Sequence, residues 1–185
     1  MNFDLPSQIQ QCAPDMDARL LASLVRRESN YNPFAIGMDG KAVLVTQPRN
    51  VEQAVATAQR LTQQGKTFSV GLAQIHTSNI KAFGATWRQS FDPCTNLRYG
   101  QSVYQGFLAK ALKAGLQGSS AVFAALRGYN SGNLFASVSD AYAGAIMAGA
   151  GQQHIKAEPV RLMIAGKQEE DEGQAQEMAE SLEIH

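Results

Sequence analysis

Apolar residues recur at helical spacing in successive segments of the chain, and glycine, serine, asparagine or proline separates these segments. The pattern predicts helices over residues 14–28, 51–64, 95–114, 119–129 and 138–148, and a further helical stretch that ends at Gly84. A short β-prone run over residues 42–46, closed by Pro48, predicts one arm of a small hairpin or ribbon. We therefore expect a mainly α domain with a small β ribbon.

Charge is distributed unevenly along the 185 residues, a length that suits one domain with its own core. Residues 165–185 contain seven acidic residues and one basic residue, whereas residues 1–164 contain nine acidic and fifteen basic ones. We expect a mildly basic domain over residues 1–151 and an acidic, flexible tail over residues 152–185. Because the lysines and arginines are scattered and form no basic run, nucleic acid is not the expected partner.

Several kinds of segment and site are not expected from the sequence. No stretch reaches the roughly 20 consecutive apolar residues that cross a bilayer, so the chain is not expected to be transmembrane. Residues 1–11 lack a basic segment followed by an apolar one, so no secretory signal is expected in this sequence. The spacing of His76, His154 and His185 suits neither a metal site nor a Ser/His/Asp arrangement, and we expect surface or packing roles for them.

Glu28 is the strongest candidate for chemistry. Leu21, Leu24 and Glu28 lie on one helical face at i, i+3 and i+7, so the apolar stripe ends in a carboxylate. A carboxylate that faces apolar surface loses hydration, which raises its pKa and lets it hold a proton near neutral pH. Such a group can act as a general acid towards a glycosidic oxygen. The alternative is a helix-terminal glutamate that turns to solvent or pairs with Arg26 or Arg27.

Glycoside hydrolysis usually needs a second carboxylate, and the other acidic residues of the domain form no recognisable partner motif. A single-acid, substrate-assisted route is therefore easier to support than a carboxylate pair. Polar residues bracketed by glycines, where the backbone can approach a ligand, are suited to binding a sugar. These residues are Ser69, Gln74, Tyr129, Asn130 and Ser131. Their alternative role is ordinary turn formation.

Cys12 and Cys94 are the two cysteines of the chain. In an exported protein they would form one disulfide that closes a long loop, and in the cytosol they would be two free thiols. No histidine lies near either cysteine in sequence, so nothing marks a nucleophilic thiol.

Three motifs in a fixed order resemble the soluble lytic transglycosylases with a goose-lysozyme-like fold. They are Glu-Ser-Asn-Tyr-Asn-Pro at residues 28–33, Ser-Val-Gly-Leu-Ala-Gln-Ile at residues 69–75, and Gly-Tyr-Asn-Ser-Gly at residues 128–132. Within that family the chain is most similar to the small transglycosylase subunits of bacterial type IV secretion and conjugation systems. The resemblance covers roughly residues 7–149.

The resemblance implies a lysozyme-like domain and a peptidoglycan lytic transglycosylase with Glu28 as the single catalytic acid/base. Glu28 would cleave the bond between N-acetylmuramic acid and N-acetylglucosamine and leave a 1,6-anhydromuramoyl end. Ser69 and Gln74 would hold acetamido groups or orient Glu28, and Tyr129 with Asn130 would line the cleft opposite. No metal or organic cofactor is implied.

The resemblance also implies a periplasmic location, peptidoglycan glycan strands as substrate, and an oxidised Cys12–Cys94 pair. Two alternatives stay open. One is a noncatalytic wall-binding assembly subunit whose tail recruits other secretion components, and the other is a hydrolysing muramidase on the same fold. Two positions depart from the family pattern. Ala73 stands where many relatives have Met, which predicts a smaller cleft-wall contact, and Gly128 stands where relatives often have Ala, which predicts a looser helix end.

Overall fold

The structure, a computed structural model, describes residues 5–40 and 42–152. In these residues helices dominate, and three short strands form one sheet, so the prediction of a mainly α domain with a small β element is confirmed. The elements in order are α1 (Leu5–Cys12), α2 (Ala18–Ser29), β1 (Ile36–Met38), α3 (Val51–Gln63), β2 (Phe68–Val70), β3 (Ile75–His76), α4 (Thr77–Ala82), α5 (Trp87–Ser90), α6 (Pro93–Lys113), α7 (Gly118–Ser131), a 3-10 helix (Ser137–Ser139) and α8 (Asp140–Gly149).

Local side chains fix where the longer helices begin. The side-chain oxygens of Asp17, Asn50 and Asp92 accept hydrogen bonds from the backbone N–H groups three residues further on, at the starts of α2, α3 and α6. These bonds satisfy donors that a helix cannot pair internally. At its other end α2 stops at Asn30, whose left-handed φ of 49° turns the chain away. Glu28 therefore lies in the last turn of a helix that is capped at both ends.

The apolar face of α2 forms the centre of the core. Leu20, Leu21, Leu24 and Val25 are at most 2% exposed, as the helical spacing predicted. This helix packs against α1 and α8, while α6 packs against α1 and α7. Glu28 continues the same face beyond the buried leucines, so the core ends at this carboxylate.

The small sheet has the antiparallel order β1-β2-β3. Gly37 pairs with Ser69, and Ser69 pairs with His76. These three residues therefore form one row across the sheet.

The predicted ribbon exists, but the prediction that residues 42–46 form one of its arms is wrong. These residues adopt no strand, and Val43 and Val45 are 83% and 98% exposed. The side-chain amide of Gln47 accepts from the N–H of Ile36 and donates to its carbonyl, both at 2.9 Å. Gln47 thus occupies the hydrogen-bonding edge of β1 that an additional strand would have used.

Two short helices, α1 and α5, were not predicted. A disulfide joins Cys12, at the end of α1, to Cys94, in the first turn of α6, with a Cα–Cα distance of 5.1 Å. It fixes α1 against the helix that carries the far wall of the cleft described below. Apart from Gln152, the predicted tail lies outside the described residues. Within the described ranges, no helix is long and apolar enough to cross a membrane.

Candidate active site

Glu28 lies half-buried on the wall of a cleft of about 530 Å³ between the small sheet and α6 and α7. The same cleft is lined by Ser69 and Gln74 from the sheet side and by Tyr129 and Asn130 from α7. The structure therefore brings together all the site residues that the sequence analysis singled out for substrate contact. They come from segments that are far apart in the chain.

Burial raises the pKa of Glu28 to about 7, in spite of opposing effects from a Tyr142 hydrogen bond and the Arg27 charge. The Tyr142 hydroxyl donates to Oε1 of Glu28. Tyr142 is itself buried, and both this burial and the neighbouring carboxylate raise the pKa of its phenol. Because the phenol keeps its proton, it can donate this hydrogen bond to the Glu28 carboxylate. A carboxyl group poised near neutral pH can both give and take a proton.

A tight turn between β2 and β3 places Gln74 in the lining of the cleft that also contains Glu28. Gly71 and Gln74 have φ values of 79° and 47°, a left-handed conformation that is uncommon for glutamine. The side-chain nitrogen Nε2 of Gln74 donates to the backbone carbonyls of Ala35 and Gly71, at 3.1 and 2.9 Å. These bonds hold the turn, and the strained backbone of Gln74 is of the kind that collects at functional sites.

Buried Asn96, on α6, stabilises the same turn through side-chain hydrogen bonds to the backbone. Its Oδ1 accepts from the N–H of Ala73 at 2.8 Å, and its Nδ2 donates to the carbonyls of Val70 and Ser90 at 3.0 and 2.8 Å. One amide side chain thus satisfies three backbone groups in a buried place. The sequence analysis did not identify Asn96, because its partners lie up to 26 residues away.

The two α7 residues are held in different ways. The Tyr129 hydroxyl donates to the carbonyl of Ala73 at 2.7 Å, which ties the α7 side of the cleft to the turn. Burial and the nearby Glu28 carboxylate raise the pKa of the Tyr129 phenol well above its usual value. Exposed Asn130 donates from Nδ2 to the Ser139 hydroxyl at 2.9 Å. The side-chain oxygen Oδ1 of Asn130 takes no part in that bond.

Ala73 and Gly128, the two departures from the family pattern, both lie where helices pack closely against their neighbours. Ala73 is fully buried and does not line the cleft, so it makes no contact in the cleft wall. A Cβ built on Gly100 would lie 2.7 Å from the Cβ of Ala73, which shows how closely α6 approaches the turn. A Cβ on Gly128 would collide with the ring of Phe107. Glycine at position 128 therefore allows α6 and α7 to pack closely.

Two further residues lie in the cleft wall or next to Glu28. His76, for which the sequence predicted a surface or packing role, is part-exposed, caps α4 and lines the cleft with Asp39 and Ser78, and its ring nitrogens contact both of them. Tyr142 was not singled out at all. The available signal was a hydroxyl in the otherwise apolar segment of α8, since a buried tyrosine hydroxyl usually needs a partner.

The arrangement suits acid/base chemistry on a neutral, hydroxyl-rich ligand. A carboxyl group with a pKa of about 7, Glu28, can give a proton, and the polar side chains around it offer donors and acceptors. Among residues 5–40 and 42–152, no group of three or more histidines, cysteines or acidic residues could hold a metal ion.

Comparisons with known proteins agree on a family. The model of the Transglycosylase SLT domain matches residues 6–145. The type IV secretion system protein virB1 of Brucella abortus biovar 1 (strain 9-941) is 40% identical over 125 residues, which cover 67% of this chain and 52% of the relative. Protein virB1 of Agrobacterium fabrum is 28% identical over 88 residues, which cover 48% of this chain and 36% of the relative. The chain thus spans about half the length of the Brucella relative. No solved structure matches the chain.

Proposed function

This chain belongs to the Transglycosylase SLT domain family, whose fold is lysozyme-like, and we propose that it is a peptidoglycan lytic transglycosylase. Its substrate is the β-1,4 bond between N-acetylmuramic acid and N-acetylglucosamine. The observation that carries the proposal is Glu28, a half-buried carboxyl group with a pKa of about 7 in a polar cleft.

Glu28 acts twice in this mechanism. Its carboxylic acid first protonates the glycosidic oxygen while the bond from that oxygen to C1 of muramic acid breaks. The resulting carboxylate then takes the proton from the muramic acid 6-hydroxyl, whose oxygen bonds to C1. The product is a 1,6-anhydromuramoyl end, no water is consumed, and Glu28 regains its proton. A pKa near 7 serves both steps, because each form of the group is accessible near neutral pH.

The side chains around Glu28 have separate roles in the proposal. Tyr142 fixes the orientation of the carboxyl group through its hydrogen bond. Ser69 and Asn130 offer polar groups to the acetamido and hydroxyl substituents of the sugar. Gln74 and Tyr129 keep the cleft wall in place, since both are bonded to backbone carbonyls.

A hydrolysing muramidase is the second candidate, because the cleft contains a second carboxylate, Asp39. In that mechanism water would end on C1 and the fragments would carry reducing ends. The two functions differ in the mass of the product by one water.

The biological setting that we propose follows the relatives. Two of them are named as virB1, and the Brucella protein is named as part of a type IV secretion system. This chain would act in the periplasm, on glycan strands, and open the wall locally while a secretion or conjugation apparatus assembles. Residues 1–151 would be the catalytic domain. The acidic residues 152–185 would contact other components of that apparatus.

Mass spectrometry of the fragments released from purified peptidoglycan tests the reaction. Anhydro-muropeptides are the expected product of the wild-type protein. Reducing-end fragments would instead assign the muramidase reaction. Binding to the wall without any release would favour the noncatalytic assembly subunit.

A further inference from the structure

Asp39 and His76 form a hydrogen-bonded pair in the cleft that contains Glu28. Nε2 of His76 lies 3.0 Å from Oδ2 of Asp39, and Nδ1 lies 2.7 Å from the Ser78 hydroxyl. Asp39 has a further hydrogen bond with Thr67. The side chains of Asp39 and His76 are 45% and 36% exposed, so a ligand in the cleft can reach both of them.

The hydrogen bonds determine which nitrogen of His76 carries the proton. The backbone N–H of Ser78 donates to Nδ1 at 3.2 Å, so Nδ1 must be an acceptor. The proton of the neutral ring then sits on Nε2 and is donated to Asp39. Asp39 therefore keeps its negative charge and its remaining acceptor capacity, while the imidazole holds it in one orientation.

The register of the sheet places the pair on the same surface as the catalytic group. Gly37, Ser69 and His76 form a row across the three strands, and all three line the cleft. Asp39 follows the last residue of β1, Met38, and its hydrogen bond to His76 holds it at the end of this row, in the lining of the same cleft. Residues of the sheet, the Asp39–His76 pair and Glu28 therefore line one cleft.

We propose that the Asp39–His76 pair is a glycan-binding subsite that accepts sugar hydroxyl groups and sets how a long strand is seated over Glu28. The proposal rests on the transglycosylase function and adds to it. A carboxylate held by His76 and Thr67 is a strong hydroxyl acceptor, because hydrogen bonds to charged groups are stronger than neutral ones. Burial alone would raise the pKa of Asp39, but the hydrogen bonds from Thr67 and His76 outweigh it and hold the pKa below its usual value, which makes Asp39 a poor base. Its proposed role is binding, and not that of the general base that an inverting muramidase would need.

Two variants isolate the pair. Asp39→Asn removes the charge at nearly constant shape. His76→Asn removes the contact to Asp39 while asparagine can still cap α4. Asp92→Asn is the matched control, since Asp92 caps α6 outside the cleft and asparagine can replace it as a cap.

Steady-state rates are measured on isolated glycan strands sorted by length, with anhydro ends quantified by mass spectrometry. Strand binding is measured separately with the same variants in a Glu28→Gln background, where no turnover occurs.

Both cleft variants are expected to raise KM and Kd for long strands by about tenfold to a hundredfold, the effect of one lost hydrogen bond to a charged group. The kcat and the anhydro product should change less than twofold, and the preference for long over short strands should shrink. Unchanged KM and Kd would overturn the proposal. A large loss of kcat in Asp39→Asn would also overturn it, because Asp39 would then be catalytic. If the wild-type protein released no anhydro ends, the proposed function would fail, yet weaker binding by the two variants would still support the subsite.

Discussion

At the scale of single residues, the ionisation of Glu28 decides the chemistry. The group ends an apolar helix face, and removal from water shifts its pKa to about 7. The Tyr142 hydrogen bond opposes that shift, because it favours the ionised form. The balance between these two effects sets the pH range in which the first proton transfer is possible.

Activity should decline as pH rises through about 7. The first step needs protonated Glu28, and half of the groups have lost the proton at the pKa. The measurement is kcat/KM on soluble glycan strands between pH 5 and 9, in a buffer series of constant ionic strength. A rate that stayed flat up to pH 9 would contradict the assignment of Glu28 as the acid.

Tyr142→Phe should shift the decline of activity at alkaline pH to higher pH. The variant removes the hydrogen bond that lowers the pKa of Glu28, so the pKa rises further. Tyr99→Phe is the matched control, since Tyr99 stacks on Phe83 and does not line the cleft. The pH profile of each variant is compared with that of the wild type. If the decline moved to lower pH, or shifted equally in the control, Tyr142 would not lower the pKa of Glu28.

Stability should respond to pH through the same group. A carboxyl group whose pKa is raised in the folded state binds more protons there than in the unfolded state. The free energy of unfolding of the wild type should therefore fall, relative to Glu28→Gln, as pH rises from about 4.5 to about 7. Chemical denaturation of both proteins at pH 4 and pH 8 checks this. If Glu28→Gln gained no relative stability at pH 8, Glu28 would not be desolvated.

The sequence was sufficient to predict some residues of the site and not others. Glu28 could be found because its position depends only on the spacing along one helix. Tyr142 is 114 residues from Glu28, and Asp39 is 37 residues from His76, so neither contact has a local signal. Such pairs depend on how elements pack, which spacing within an element does not reveal.

At the scale of elements, the turn between β2 and β3 is held by α6 and α7. Asn96 bonds three backbone groups of the neighbouring segments, and Tyr129 bonds a fourth. The helical spacing of apolar residues predicted α2, α3, α6 and α7 closely, and local side-chain caps fix the starts of α2, α3 and α6. It misplaced one arm of the ribbon, because Gln47 takes the hydrogen-bonding edge of β1.

Asn96→Ala should destabilise the protein by about 3 kcal/mol or more. The variant leaves three buried backbone groups without their side-chain partner, and each such loss costs about 1–3 kcal/mol. Denaturant unfolding measures the change. Asn133→Ala, at an exposed position, is the control and should shift stability much less. Equal effects of the two substitutions would show that Asn96 does not anchor the turn.

At the scale of the whole molecule, the disulfide joins the ends of a long loop. Cys12 and Cys94 are 82 positions apart, and the enclosed chain includes α2, the whole sheet and α3. Cross-linking such a loop stabilises the folded state mainly by restricting the unfolded chain. The bond also fits the oxidising compartment in which we propose that the protein acts.

The Cys12→Ser/Cys94→Ser double variant should lose about 4–5 kcal/mol of stability, as expected for a loop of this length. Its kcat at a temperature where it is folded should be close to that of the wild type, because neither sulfur lies in the cleft. Thermal unfolding with and without reductant measures the effect. Two free thiols in unreduced protein prepared from the periplasm would contradict the assigned bond.

The central claim is that one carboxyl group, Glu28, performs both proton transfers. Its most direct test compares Glu28→Gln with the matched variant Glu52→Gln, whose carboxylate pairs with Arg88 outside the cleft. The rate at which anhydro-muropeptides are released from purified peptidoglycan is measured for both, with circular dichroism as a check of folding. We expect a loss of about a hundredfold or more for Glu28→Gln and a rate close to wild type for Glu52→Gln. A folded Glu28→Gln protein that still released anhydro-muropeptides at the wild-type rate would contradict the account.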